Sequence, residues 1–89
     1  MNIIVNGGSR GIGKEVVLFL SQDINNQIIV TGRNKRDLMA LSAFSANIFA
    51  VQADLSDPDE LSGTFRSKIL SHFSSVDILI NMAGTLVSS

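Results

Sequence analysis

Asn2-Ile3-Ile4-Val5-Asn6-Gly7-Gly8-Ser9-Arg10-Gly11-Ile12-Gly13 opens the chain directly after Met1, and its reading decides the fold. Three β-branched apolar residues run without alternation, as in a strand buried on both faces. Glycines close the run, and Ile12, Val16 and Leu20 then recur at i, i+4, i+8, with Val17 and Phe19 widening the stripe, which predicts a helix. Outward from this strand–turn–helix unit the pattern repeats. Gln27 to Thr31, Asn47 to Val51 and Val76 to Ile80 are further apolar runs. Between them lie helical patterns, one around Leu38 and Leu41 and one through Leu61, Phe65, Ile69 and Phe73. The last is introduced by Ser56-Asp57-Pro58-Asp59-Glu60, with a capping residue, a first-turn proline and acids suited to the helix dipole. Strands alternating with helices imply right-handed crossovers and a parallel sheet. The expectation is an α/β, doubly wound fold over residues 1–89 as a single domain.

Composition narrows the function classes. Seven Lys and Arg against eight Asp and Glu leave a net charge of -1, with no basic footprint for nucleic acid and no polybasic membrane signal. With no Cys, neither a disulfide scaffold nor a Cys-based metal site is expected, and one His with scattered acids offers no metal constellation. Apolar runs fall far short of the roughly 20 residues of a membrane span. Met1 to Asn6 carries no readable signal peptide, so a cytoplasmic setting is expected. The five Phe residues, Phe19, Phe44, Phe49, Phe65 and Phe73, are spaced as core residues. His72, late in the third helical pattern, reads as a solvated or capping residue.

The glycine turn carries the chemistry. At the carboxyl end of a parallel strand, a phosphate meets the N–H groups and positive dipole end of the following helix. Side chains there obstruct approach. Gly7 permits a tight turn, Gly11 a close backbone approach, and Gly13 close packing of helix on strand. About twenty positions past the motif, where an acid would grip the ribose 2′-OH of NAD, stands Arg33. A guanidinium attracts a 2′-phosphate instead, and Arg10 lies in the glycine loop itself. Charge complementarity therefore favours NADP(H) over NAD(H), with Lys35 and Arg36 adding to the local field. Asn34 reads chiefly as the cap of the second helix.

Asn6-Gly7-Gly8-Ser9-Arg10-Gly11-Ile12-Gly13 resembles the Thr-Gly-x-x-x-Gly-x-Gly motif of the short-chain dehydrogenases/reductases, with Asn6 in place of Thr. Thr31-Gly32-Arg33, Asp54-Leu55 and Asn81-Met82-Ala83-Gly84 follow in the family's order, the last resembling Asn-Asn-Ala-Gly with Met82 replacing the second Asn. The resemblance implies a Rossmann-type sheet of four strands in order 3-2-1-4, incomplete relative to the full family fold. It implies cofactor contacts at Gly7, Ser9, Arg10, Gly11, Ile12, Gly13, Arg33, Asn34, Asp54, Leu55, Asn81, Ala83 and Gly84. In the family's pattern Asp54 accepts from the adenine amino group, and the small residues Ala83 and Gly84 pass beneath a ribose; Met82 is expected to point into the core.

The resemblance further implies an oxidoreductase moving hydride between NADPH and a small carbonyl or alcohol substrate. The family's proton donor is a Tyr, supported by a Lys, a Ser and an Asn, all beyond the fourth strand. This chain contains no Tyr, so no catalytic residue is assigned and the chain alone is expected to be catalytically incomplete, the cofactor-binding N-terminal portion of such an enzyme. The alternative is a non-catalytic nucleotide-binding or interaction module. Either way the fourth strand is expected to leave an apolar sheet edge open to association, homo-oligomeric association included.

Overall fold

The computed structural model describes residues 1–7, 10–53, 63 and 66–82. Strand β1 (Asn2–Asn6) leads to helix α1 (Gly11–Ser21), β2 (Gln27–Gly32), α2 (Lys35–Phe44), β3 (Ile48–Gln52), α3 (Arg66–His72) and β4 (Ile78–Asn81). The four strands form one sheet in the order β3-β2-β1-β4, and every neighbouring pair is parallel. This is the order expected of the sequence.

The unalternating strands are buried on both faces. On one face Ile3, Val5, Ile28, Val30 and Ile48 pack with Val17 of α1 and with Leu38 and Leu41 of α2. On the other, Ile4, Ile29, Val51 and Ala53 pack with Ile69 and Phe73. The register sets this division: Ile3 is opposite Ile28 and Ile28 opposite Ile48, while Ile4 is opposite Ile29. Since side chains alternate along a strand, aligned residues share a face. Helices on both faces make the sheet doubly wound.

The packing face of α1 agrees with the predicted stripe at Val17 and Leu20 and departs from it at Ile12 and Phe19. Its buried residues are Gly13, Val17 and Ser21, whereas Ile12 is 74% and Phe19 71% exposed. The helix meets the sheet through its small side chains, with Val16, Leu18 and Leu20 half-buried at the margins. Burial of Ser21 is tolerated because its hydroxyl donates to the carbonyl of Leu18 at 2.8 Å. Phe19 follows Val17 by two positions, which puts it on the opposite side of the helix.

Only part of the aromatic core is as predicted. Phe73 is buried and Phe49 packs half-buried beside it, its ring 4.9 Å from that of the exposed His72. Phe44 is exposed, because α2 turns its buried face through Leu38 and Leu41 and ends at Phe44. Phe65, Leu61 and the expected helix start from Ser56 to Glu60 lie outside the described residues.

Strand β4 begins at Ile78, two residues later than its apolar run. Val76 remains outside, and Asp77 instead clasps the start of β1: its N–H donates to the Asn2 carbonyl at 2.8 Å and its carboxylate accepts from the Asn2 N–H at 2.7 Å. As the outer strand, β4 exposes Ile78 and Leu79, the latter at 61%. Met82 packs half-buried against the first core, in line with the inward direction predicted for it. No helix among the described residues is long and apolar enough to cross a membrane.

Candidate functional site

Parallel strands bring the ends of β1, β2 and β4 to one edge, and a buried polar cluster fixes that edge. Asn6 and Thr31 sit side by side in register, both buried. The Thr31 hydroxyl donates to Asn6 Oδ1 at 3.2 Å. The Gly7 N–H donates to the Thr31 carbonyl at 3.0 Å and reaches its Oγ1 at 3.3 Å. The Asn6 carbonyl in turn accepts from the Met82 N–H at 2.8 Å. Buried polar groups satisfied this fully hold a fixed geometry. Asn6 thus ties β1 to β2 by its side chain and the β4 exit to β1 by its backbone. This is a concrete role for the residue that departs from the family's Thr.

Beyond Asn6 the chain turns through Gly7, whose φ is 79°, and re-enters helix at Gly11, whose φ is 60°. Both values lie in the left-handed region that favours glycine. Among the described residues nothing lies within 4 Å of a Cβ placed on Gly11, so it is the backbone conformation that calls for glycine there. Arg10, extended at φ -141° and ψ 161°, precedes α1 without a side-chain cap, and no acidic residue occupies the first turn. A helix start left this way presents N–H groups and a positive dipole end. Gly13 is buried on the sheet side and Ile12 stands exposed beside the turn.

The neighbouring β2–α2 connection supplies the charges. Arg33 follows β2 and is exposed; its carbonyl accepts from Gln52 Nε2 at 3.1 Å, which anchors its backbone while the described residues give its guanidinium no ion pair. Asn34 is the N-cap of α2, its side chain accepting from the Asp37 N–H at 3.1 Å, as predicted. Asp37 in turn receives the Arg10 Nε–H at 2.5 Å, an ion pair joining the glycine loop to the first turn of α2. That hydrogen bond, and then the carboxylate's charge, raise the Arg10 pKa above its ordinary value.

The edge therefore gathers Gly7, Arg10, Gly11, Ile12, Gly13, Arg33, Asn34 and, at the end of β4 opposite Asn6, the exposed Asn81. Ser9, Asp54, Leu55, Ala83 and Gly84 lie outside the described residues. Two neighbours of the site are not among the expected contacts: Thr31, which the sequence marks only within Thr31-Gly32-Arg33, and Asp37, visible in the sequence only as a first-turn acid, with no sign of its partner in the loop. A positive-φ glycine, an uncapped helix start and two nearby guanidiniums suit the phosphates of a dinucleotide.

The opposite, amino end of the sheet holds a shallow cavity of about 220 Å³ lined by Ile24, Gln27, Ser45, Ala46 and Asn47. It offers no comparable chemistry. Its buried Asn47 is committed to structure, donating to the carbonyls of Ser21, Asp23 and Asn26 at 3.1, 3.2 and 3.0 Å.

A family model described as short chain dehydrogenase matches residues 1–89. The 3-oxoacyl-(acyl-carrier-protein) reductase FabG of Staphylococcus aureus is 33% identical over 85 residues, which cover 91% of this chain and 34% of that protein. Carbonyl reductase family member 4 of Xenopus tropicalis is 36% identical over 83 residues, covering 90% of this chain and 33% of that one. A crystal structure of a short chain dehydrogenase from Bacillus anthracis superposes with a TM-score of 0.77 at 30% identity, covering 92% of this chain and 34% of its own. The chain spans about a third of the length of the curated relatives it matches.

Proposed function

This chain belongs to the short-chain dehydrogenase family, and on that premise we propose that its residues form the NADP(H)-binding part of an oxidoreductase acting on a carbonyl or alcohol. The observation that carries the reading is the junction of β1 and α1: Gly11 at φ 60°, with no described residue near the position of a Cβ, at an uncapped helix start directly after Arg10. Backbone N–H groups of Gly11 to Gly13 hold the pyrophosphate in this account, and the dipole of α1 complements its charge. Arg33 and Arg10 receive the ribose 2′-phosphate, for which a guanidinium offers charge-assisted hydrogen bonds. Asn34 helps by fixing the α2 start from which Arg33 projects. By the family's pattern, Asp54 and Leu55 are assigned to the adenine and Asn81, Ala83 and Gly84 to a ribose. Ser9 and Ile12 are assigned to the same phosphate contacts by the family's glycine motif.

When bound, the nicotinamide supplies or accepts the hydride. The protein's share within these residues is to bind and orient it. The 89 residues contain no Tyr, so the proton donor expected of the family is not assigned to them. The relatives named as a 3-oxoacyl reductase and a carbonyl reductase support a carbonyl as the group reduced. The outer position of β4, with Leu79 exposed, supports pairing with a further strand.

Calorimetric titration of NADPH and NADH tests the proposal. NADPH is expected to bind about tenfold tighter or more, as charge-assisted bonds to one extra phosphate imply. Equal affinities reject the NADP(H) assignment.

A further inference from the structure

Resting on the NADP(H) reading, we propose that Asp37 is a specificity-determining residue that competes with the cofactor's 2′-phosphate for Arg10 and so limits the preference for NADP(H). Arg10 is already paired: its Nε–H meets Asp37 Oδ2 at 2.5 Å. The two partners are not equally free to move. Arg10's side chain is 73% exposed, whereas that of Asp37 is 30% exposed, and Asp37 sits in the first turn of α2 with its backbone N–H bound to the Asn34 side chain. The carboxylate is therefore the fixed anion and the guanidinium the mobile cation. Its place near the N-terminus of α2 further favours its negative charge.

A 2′-phosphate arriving at this edge meets a guanidinium already paired with a carboxylate. It must draw Arg10 away from Asp37, or share the fork with a carboxylate that repels it. A cofactor with a free 2′-OH meets no such competition. Arg33 has no ion pair among the described residues and remains the uncontested contact. Two arginines with one internal competitor give a smaller preference than two free arginines.

The test uses adenosine 2′,5′-bisphosphate and 5′-AMP as probes, with NADPH and NADH in parallel, on wild type, Asp37→Asn, Arg10→Gln and the double variant. Asp37→Asn keeps the backbone N–H to Asn34 and the side-chain size while removing the charge. It is expected to tighten the bisphosphate and NADPH about threefold to fivefold, the factor expected of one exposed ion pair, and to leave 5′-AMP and NADH unchanged. In the Arg10→Gln background the same substitution should give little or no gain. A preference in wild type that Asp37→Asn leaves unchanged or lowers overturns this inference alone. An equal gain in both backgrounds also overturns it, since a general field and not the pair is then responsible. Absence of any preference in wild type overturns the NADP(H) reading, and this inference with it.

Discussion

Replacing Gly11 by Ala separates the two demands placed on the glycine turn. The structure gives Gly11 a φ of 60° and leaves no described residue within 4 Å of the position a Cβ would take. Steric collision therefore contributes nothing to the cost. The left-handed conformation alone is worth roughly 1–2 kcal/mol against Ala. For a domain of this size each kcal/mol corresponds to about 4–8 °C in Tm. Gly63 provides the internal control: a Cβ there also meets nothing within 4 Å, but its backbone is outside the left-handed region. Gly63→Ala should therefore leave stability within about 0.5 kcal/mol or raise it slightly, by reducing the freedom of the unfolded chain. Urea denaturation monitored by circular dichroism measures both. Cofactor binding should respond out of proportion, because the Gly11 methyl enters the space assigned to the pyrophosphate. A loss of about tenfold or more in NADPH affinity is expected, against no change for Gly63→Ala. A stability loss well above about 3 kcal/mol would show that the turn is crowded. Matching stabilities for the two variants would show that Gly11 is not left-handed. The expected stability loss with intact NADPH affinity would place the phosphates elsewhere.

Three further outcomes follow from the packing and charges. Val17→Ala should cost about 1–3 kcal/mol in denaturant unfolding, since Val17 is wholly buried, whereas Phe19→Ala should stay within about 0.5 kcal/mol. Equal losses would contradict the packing face of α1. Asn47→Ala should cost about 2 kcal/mol by leaving the buried Ser21 carbonyl and the half-buried carbonyls of Asp23 and Asn26 without their donor, while NADPH affinity is retained because the residue lies at the amino end of the sheet. Arg33→Ala should weaken NADPH about tenfold and NADH much less in parallel titrations; equal weakening would deny the side chain a part in reading the 2′-phosphate.

The sheet was legible because its signal is local and redundant. Runs such as Ile3-Ile4-Val5 and Ile28-Ile29-Val30 are unalternating, and only strands buried on both faces need that. The capping role of Asn34 was legible for the same reason, since the cap and the N–H it accepts from are three residues apart. The face of α1 was legible only in part. Val17 and Leu20 of the apolar stripe meet the core, but Ile12 and Phe19 do not, because close approach of the helix through Gly13, Val17 and Ser21 favours small side chains over large ones. Hydrophobicity reports which residues avoid water, not how near two elements come. The Arg10–Asp37 pair was illegible on different grounds: its partners are 27 residues apart, and only the crossover from β1 through α1 to β2 and α2 brings them together.

The central claim is tested most directly by following backbone amides and the Arg10 Nε–H in ¹⁵N NMR while NADPH is added to saturation. Amides between Gly7 and Gly13 and the Arg10 side-chain signal should shift strongly and saturably, while the amides of Ile24 and Asn47 at the far end of the sheet stay in place. Saturation with no response between Gly7 and Gly13 would contradict the assignment of this turn as the seat of the pyrophosphate.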